Sequence, residues 1–176
     1  MGSPARLRFW AVAAYHLAQC NVGRILAPLE SEQLKGFVEA LDPINALADA
    51  APGFVWRLQT DDGNATAIHA FDDDMLLTNM SVWESLDALA AFVYRSTHRD
   101  VLRGRAQWFE RATEPYLVLW WIPAGTVPTV EEAVARLDVL RRTGPSPDAF
   151  TFRSPFPAPG AGHEPRSVPD DWLCPT

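Results

Sequence analysis

The stretch Leu76-Leu77-Thr78-Asn79-Met80-Ser81-Val82-Trp83 decides the fold. Leu77, Asn79 and Ser81 alternate with Met80 and Val82. Side chains alternate across a strand, so this run reads as a β-strand with two unlike faces. Glu84 then starts the longest helical region, whose core face is Leu86, Leu89, Ala90, Phe92 and Val93. Ahead of the strand, Pro52-Gly53 ends a helical segment and Phe54-Val55-Trp56-Arg57-Leu58 reads as another strand. Between the two strands Asp61-Asp62-Gly63-Asn64 signals a turn. A strand or irregular segment follows through Ile68, His69 and Phe71.

Upstream, residues 15–22 form a first strand with Leu17, Cys20 and Val22 available for burial. Pro28 and Ser31 open a helix on which Leu34, Phe37, Val38 and Leu41 make one apolar stripe. Pro43 cannot continue that helix without losing a hydrogen bond. Asp42 is therefore read as a fresh cap, starting a second turn with Ile44, Leu47 and Ala48. Downstream, Ser96 and Thr97 interrupt the long helix, and Thr97 with Asp100 has the capping-box pattern that restarts it. Residues 116–122 are apolar enough for a central strand. Thr129 caps the last helix with Glu132 completing the box, and Gly144-Pro145 terminates it. Phe150 to Phe152 adds a short edge strand.

Strand, helix, strand, strand, helix, strand is a split βαβ unit repeated once. It predicts an α+β, ferredoxin-like sandwich, an antiparallel sheet with its helices on one face. The other face needs cover, and a second copy of the sheet is the natural one, which predicts a homodimer closed into a dimeric α+β barrel. Residues 1–14 read as an extension, 15–153 as the barrel domain and 154–176 as a Pro/Gly-rich tail. Trp172 in that tail is placed to dock on the domain or on a second subunit.

Composition narrows the partners. The chain has 176 residues, 48% hydrophobic and 21% charged, as an ordinary single-domain globular core requires. Seven Trp and nine Phe add aromatic surface suited to cores, interfaces or pockets for flat ligands. A net charge of -7 would repel a phosphate backbone, so nucleic acid is not an expected partner. No stretch approaches a membrane span. Arg6 and Arg8 precede a short apolar run, but Tyr15 and His16 interrupt it, so export is rejected and a cytoplasmic location expected. Cys20 and Cys174 have no metal-type spacing and read as free, mostly inert thiols.

No P-loop, dinucleotide fingerprint, nucleophile elbow or zincin pair is present. The candidates are polar residues among apolar ones. On a continuous helix His98 shares a face with Tyr94 and Leu102, where it suits a general base or a haem ligand. It equally suits a structural histidine closing a helix junction through Ser96 or Thr97. His69 precedes three aspartates, yet a metal site would need more converging ligands. Arg57, Asn79 and Ser81 lie on strands beside aromatics and can fix a substrate carbonyl or phenol. Asn45 serves as a cap or a pocket residue. Trp56, Trp83, Trp108, Trp120 and Trp121 divide between core and pocket; Trp120 and Trp121 are adjacent on one strand and must face opposite ways.

Several motifs together resemble a known family. They are residues 79–85 (Asn79-Met80-Ser81-Val82-Trp83-Glu84-Ser85), 92–98 (Phe92 to His98) and Gln107-Trp108-Phe109-Glu110. Leu41-Asp42-Pro43-Ile44-Asn45, residues 53–58, residues 119–125 and residues 144–152 complete the pattern. It resembles the bacterial domain-of-unknown-function family 3291 over about residues 15–156, although Gly104 and Ala106 interrupt what is usually a more continuous arginine-rich helix. That family resembles the dimeric α+β barrel superfamily, and residues 81–98 are similar to antibiotic-biosynthesis monooxygenases within it. The resemblance implies one of several chemistries: cofactor-free oxygenation of polyphenols, polyketide cyclisation, haem-dependent reactions or chlorite decomposition. Fold alone does not choose among them.

The leading expectation is a small-molecule enzyme of specialised metabolism acting on an aromatic or polycyclic, polyketide-like substrate without a cofactor. His98 or Tyr94 would supply acid–base chemistry, and Asn79 and Arg57 would hold the oxyanion. Ser81, Asn45, His69, Trp56, Trp83 and Trp120 complete the expected binding set. A haem protein with His98 or His69 as axial ligand is the second expectation, and a non-catalytic binding module the third.

Overall fold

The computed structural model of the chain describes residues 15–68, 70–95 and 104–161. Among these residues, four strands and three helices follow one another as β1 (Tyr15–Arg24), α1 (Lys35–Asp49), β2 (Phe54–Arg57), β3 (Leu76–Trp83), α2 (Leu86–Arg95), β4 (Leu117–Pro123) and α3 (Val130–Thr143). A short 3-10 turn at Arg105–Gln107 precedes β4. The protein is α+β: the strands form one sheet in the order β2-β3-β1-β4, antiparallel at every pairing. Among the described residues no helix is long and apolar enough to cross a membrane.

Register follows from the side-chain alternation of β1. Ala18 lies opposite Val82 and Trp120, and Cys20 opposite Met80 and Val118. These residues share one face of the sheet and pack against Ala133, Leu137 and Leu140 of α3. Leu17 lies opposite Trp83 and Trp121 on the other face. There Leu17, Trp83 and Leu119 pack with Leu89 and Ala90 of α2 and with Phe150. Each fully buried large side chain of this kind contributes about 1.5–3 kcal/mol relative to exposure.

The expectation that all helices share one face needs correction. α3 lies across the face opposite α2, because its apolar residues Ala133, Leu137 and Leu140 recur at helical spacing and meet β1 and β4. The reason given for a second copy, a sheet face that this chain cannot cover, therefore holds only in part. Towards β2 and β3 that face carries the half-buried Trp56 and Phe71.

Two local expectations also change. α1 runs unbroken through Pro43. The proline forfeits one backbone bond, but the helix keeps a single inward face of Phe37, Leu41, Ile44 and Ala48, which one lost bond does not outweigh. At α3, Thr129 Oγ1 accepts from the Glu132 amide at 3.1 Å, as a cap should. The Glu132 carboxylate does not complete the box; it accepts from Trp120 Nε1 at 3.1 Å. Gly144 ends the helix with φ 75, and its amide donates to the Leu140 carbonyl at 3.0 Å.

Beyond α3 the chain returns to the outer side of β4. Phe150 and Leu119 exchange backbone bonds of 2.9 and 2.8 Å, a single bridge where a short strand was expected. The chain stays on the body past residue 153: the Phe156 carbonyl accepts from Trp121 Nε1 at 2.8 Å, and its ring meets Phe150. Trp172 lies outside the described residues.

Candidate functional site

α1 meets the sheet at β2 and stands off the remaining strands. Of its inward residues only Ala48 is fully buried, while Phe37, Leu41, Ile44 and Asn45 remain part-exposed. They line a cavity, with Phe37 also meeting the rings of Trp108 and Phe109. Between α1 and the sheet lie two adjoining lobes, of about 170 Å³ and about 130 Å³. An apolar cavity of roughly 150 Å³ admits benzene, so each lobe has room for about one aromatic ring.

The two lobes differ in their walls and share a waist. Phe37, Leu41, Leu58, Leu77, Trp108 and Phe109 make the first lobe largely apolar. Trp83, Leu89, Phe92, Tyr94, Leu117 and Phe152 do the same for the second. Asn21, Asn45, Arg57, Asn79 and Arg105, with Ile44, border both. Asn64, Thr66 and Thr78 add polar groups to the first lobe and Gln19 and Ser81 to the second, so the cleft carries its charged groups at the middle and most of its apolar wall towards the two ends.

The floor of the waist is set by register. Asn21 lies opposite Asn79, and Gln19 opposite Ser81, on the face that elsewhere carries Leu17 and Trp83. Polar groups on an inner sheet face cost free energy unless they are bonded. Ser81, 7% exposed, accepts from Trp83 Nε1 at 2.8 Å and from Gln19 Nε2 at 3.1 Å. Both its lone pairs are engaged, and its own proton is the one hydrogen-bonding capacity these two bonds leave over.

Arg57 is fixed from two sides. Its Nε and Nη2 donate to the two carboxylate oxygens of Asp49 at 2.8 and 3.2 Å, and Nη1 donates to the Gly63 carbonyl at 2.7 Å. Asn45 Nδ2 donates to the same carbonyl at 3.4 Å. Gly63 has φ 81, in the left-handed region that glycine adopts without strain, and it aims its carbonyl at both side chains. The expected turn thereby straps α1 to β2. Three of the five guanidinium N–H groups are used, and two remain.

Arg105 is held differently. Its Cζ lies 4.2 Å from the centroid of the Tyr116 ring and 5.5 Å from that of Phe109. The segment carrying it is tied to β1 by backbone bonds from Leu26 to Trp108 and from Glu110 to Arg24. Phe109 packs edge-on against Phe37 of α1, with centroids 5.1 Å apart. Gly23 makes this approach possible, since a Cβ there would lie 2.7 Å from Phe109 Cδ1 and 3.5 Å from Arg105 Nη2.

A family model for a domain of unknown function, DUF3291, matches residues 16–166. The chain belongs to the DUF3291 family. No curated protein matches it. A crystal structure of NE2512, a protein of unknown function from Nitrosomonas europaea, is similar at 13% identity and a TM-score of 0.43, covering 66% of this chain and 98% of that one.

In this DUF3291 chain Arg57, Asn79, Asn45, Ser81, Trp83 and Tyr94 all border the cleft. Trp56 and Trp120, expected as ligand contacts, do not. Both lie on the opposite face, where Trp120 is fully buried beneath α3. Trp121 faces the other way, as adjacency on a strand demands. His98 and His69 lie outside the described residues. Among the described residues no three His, Cys, Asp or Glu side chains converge as metal ligands.

Arg105, Asn21 and Gln19 belong to the cleft but were not expected there. For the two amides the signal was present, since Leu17, Gln19 and Asn21 alternate through an otherwise apolar strand. Arg105 carried no such signal. It lies between Gly104 and Ala106 in irregular chain, where no periodicity assigns a direction. Cys20 sits on the α3 face, where burial pushes its thiol up to about 12 and makes it inert.

Proposed function

We propose that this DUF3291 protein is a cytoplasmic small-molecule enzyme that carries out cofactor-independent acid–base chemistry on an aromatic or polycyclic, polyketide-like substrate. The observation that carries this is the polar waist between two ring-sized apolar lobes. It suits a molecule with an acidic C–H or phenol between two apolar wings, as in a β-diketone. Tyr94, in the second lobe, and His98 are the groups assigned to move the proton. The two spare N–H groups of Arg57 and the Asn79 amide hold the oxyanion, already oriented by Asp49 and the Gly63 carbonyl. Fixed donors of this kind stabilise developing charge without reorganising at the moment of reaction.

The strand order β2-β3-β1-β4, with α1 and α2 over one face, supports a ferredoxin-like arrangement and membership of the dimeric α+β barrel superfamily. A homodimer would cover the part of the second face that α3 leaves to Trp56 and Phe71. The described cleft residues include no histidine, so a histidine-ligated haem would depend on His98 or His69.

Turnover of a panel of aromatic 1,3-diketones and polyphenols, followed by absorbance and mass spectrometry, tests the activity. Conversion that falls at least about 100-fold in His98→Ala or Tyr94→Phe is expected, the usual contribution of a general acid or base. Absence of turnover across the panel, or full activity in both variants, would remove the proposal.

A further inference from the structure

The two cations of the cleft are not equivalent. Arg57 is neutralised by the fork it makes with Asp49. Arg105 borders both lobes, and among the described residues no carboxylate lies within ion-pair distance of it. The chain is net acidic, with 22 Asp and Glu against 15 Lys and Arg, so an acidic partner for Arg105 would have been easy to supply. What holds the guanidinium instead is the face of Tyr116 at 4.2 Å, with Phe109 beyond. Stacking on ring faces fixes the plane of the group and leaves its N–H edge unspent.

We infer that Arg105 is an anion anchor, and that the cleft takes a small organic anion whose charged oxygen sits at the waist between two apolar groups. This deepens the proposed function, on which it rests for the nature of the guest, by naming its charge and shape. Three features converge. Arg105 offers a fork suited to a carboxylate or an enolate. Asn21 and Asn79, opposite each other on β1 and β3, supply amide donors on the floor beside it. The apolar lobes on either side each admit about one ring. A neutral guest of the same shape would leave the guanidinium without a counter-charge in a partly desolvated site.

Three probes test this by equilibrium binding on the full chain. Diphenylacetate places a carboxylate between two phenyl groups, diphenylacetamide is its neutral counterpart, and dibenzoylmethane offers an enolate in the same position. Diphenylacetate is expected to bind at least about tenfold tighter than the amide, the contribution of one charge-assisted hydrogen bond. That preference should disappear in Arg105→Gln and persist in part in Arg105→Lys. Should dibenzoylmethane bind more tightly as pH rises towards its own pKa, and diphenylacetate not bind, the anion is an enolate rather than a carboxylate and the anchor stands.

Equal binding of acid and amide by the unaltered protein would overturn the inference, and this comparison needs no variant to fold. So would an acid preference that survives Arg105→Gln, or failure of all three probes to bind. Turnover does not enter these readouts. An anion that binds as expected but is never converted would count against the enzyme proposal alone.

Discussion

The indole of Trp83 and the hydroxyl of Ser81, two residues apart on one face of β3, are joined by a 2.8 Å hydrogen bond. Trp83 is 1% exposed, so its N–H has no recourse to water. The bond fixes the ring that walls the second lobe, and Phe92 stacks on that ring at 5.1 Å. Replacing Ser81 by Ala strands both this N–H and the Gln19 amide. A loss of about 1–3 kcal/mol is expected for buried donors left without acceptors, read as a lower urea midpoint. An unchanged midpoint would mean that both donors find other partners.

Arg57→Lys keeps a positive charge but cannot bond both Asp49 oxygens and the Gly63 carbonyl in one plane. Stability should fall by about 1 kcal/mol, because the Asp49 side chain is 47% exposed and its contribution is screened by solvent. A double-mutant cycle with Asp49→Asn measures the coupling. No coupling would show that the fork carries no energetic weight.

Gly23→Ala forces a methyl to within 2.7 Å of Phe109 Cδ1, well inside van der Waals contact. Phe109 must then shift, while Arg105 Nη2, at 3.5 Å, stays at ordinary contact distance. A cost of about 1–3 kcal/mol is expected for overpacking, together with weaker uptake of aromatic probes by the first lobe. Thermal melts and probe titration of the same variant check both effects.

The Cys20 thiol, pushed by burial up to about 12, keeps its proton in the folded chain over a range where the unfolded chain loses it. The unfolded state therefore binds fewer protons over that range, and stability must fall as pH rises from about 9 towards 12. Urea midpoints at pH 8 and pH 10.5 should show this decline, and Cys20→Ala should lessen it. In a Cys174→Ser background the remaining thiol should react with a disulfide reagent only after denaturant is added.

Thr129→Ala removes the cap acceptor of α3 and should cost about 1 kcal/mol. Because α3 covers Trp120, the same variant should also shift tryptophan emission towards the red on mild denaturation, before the global transition.

β3 was legible in sequence to its end residues, since alternation over 76–83 admits few other conformations. α1 was legible as an apolar stripe but appeared broken, because the local cost of Pro43 is visible in sequence and the cavity-facing side that outweighs it is not. The side of the sheet that α3 covers could not be read, because helical periodicity says which residues face inward and not which layer they meet. Arg57, Asn79 and Ser81 were found as polar residues in apolar strands. Arg105 needed three dimensions, since Tyr116 reaches it across irregular chain and Gly23 comes from a distant strand.

The reciprocal bonds between Leu119 and Phe150 have a consequence for how copies of this molecule can meet. They occupy hydrogen-bonding groups along the outer rim of β4, so a further strand cannot add there in register. The opposite rim belongs to β2, only four residues long and kinked by an irregularity between Phe54 and Trp56. Growth of the sheet by lateral addition is thus discouraged at both ends. The homodimer proposed above would then form face to face, as a closed pair rather than an open fibre.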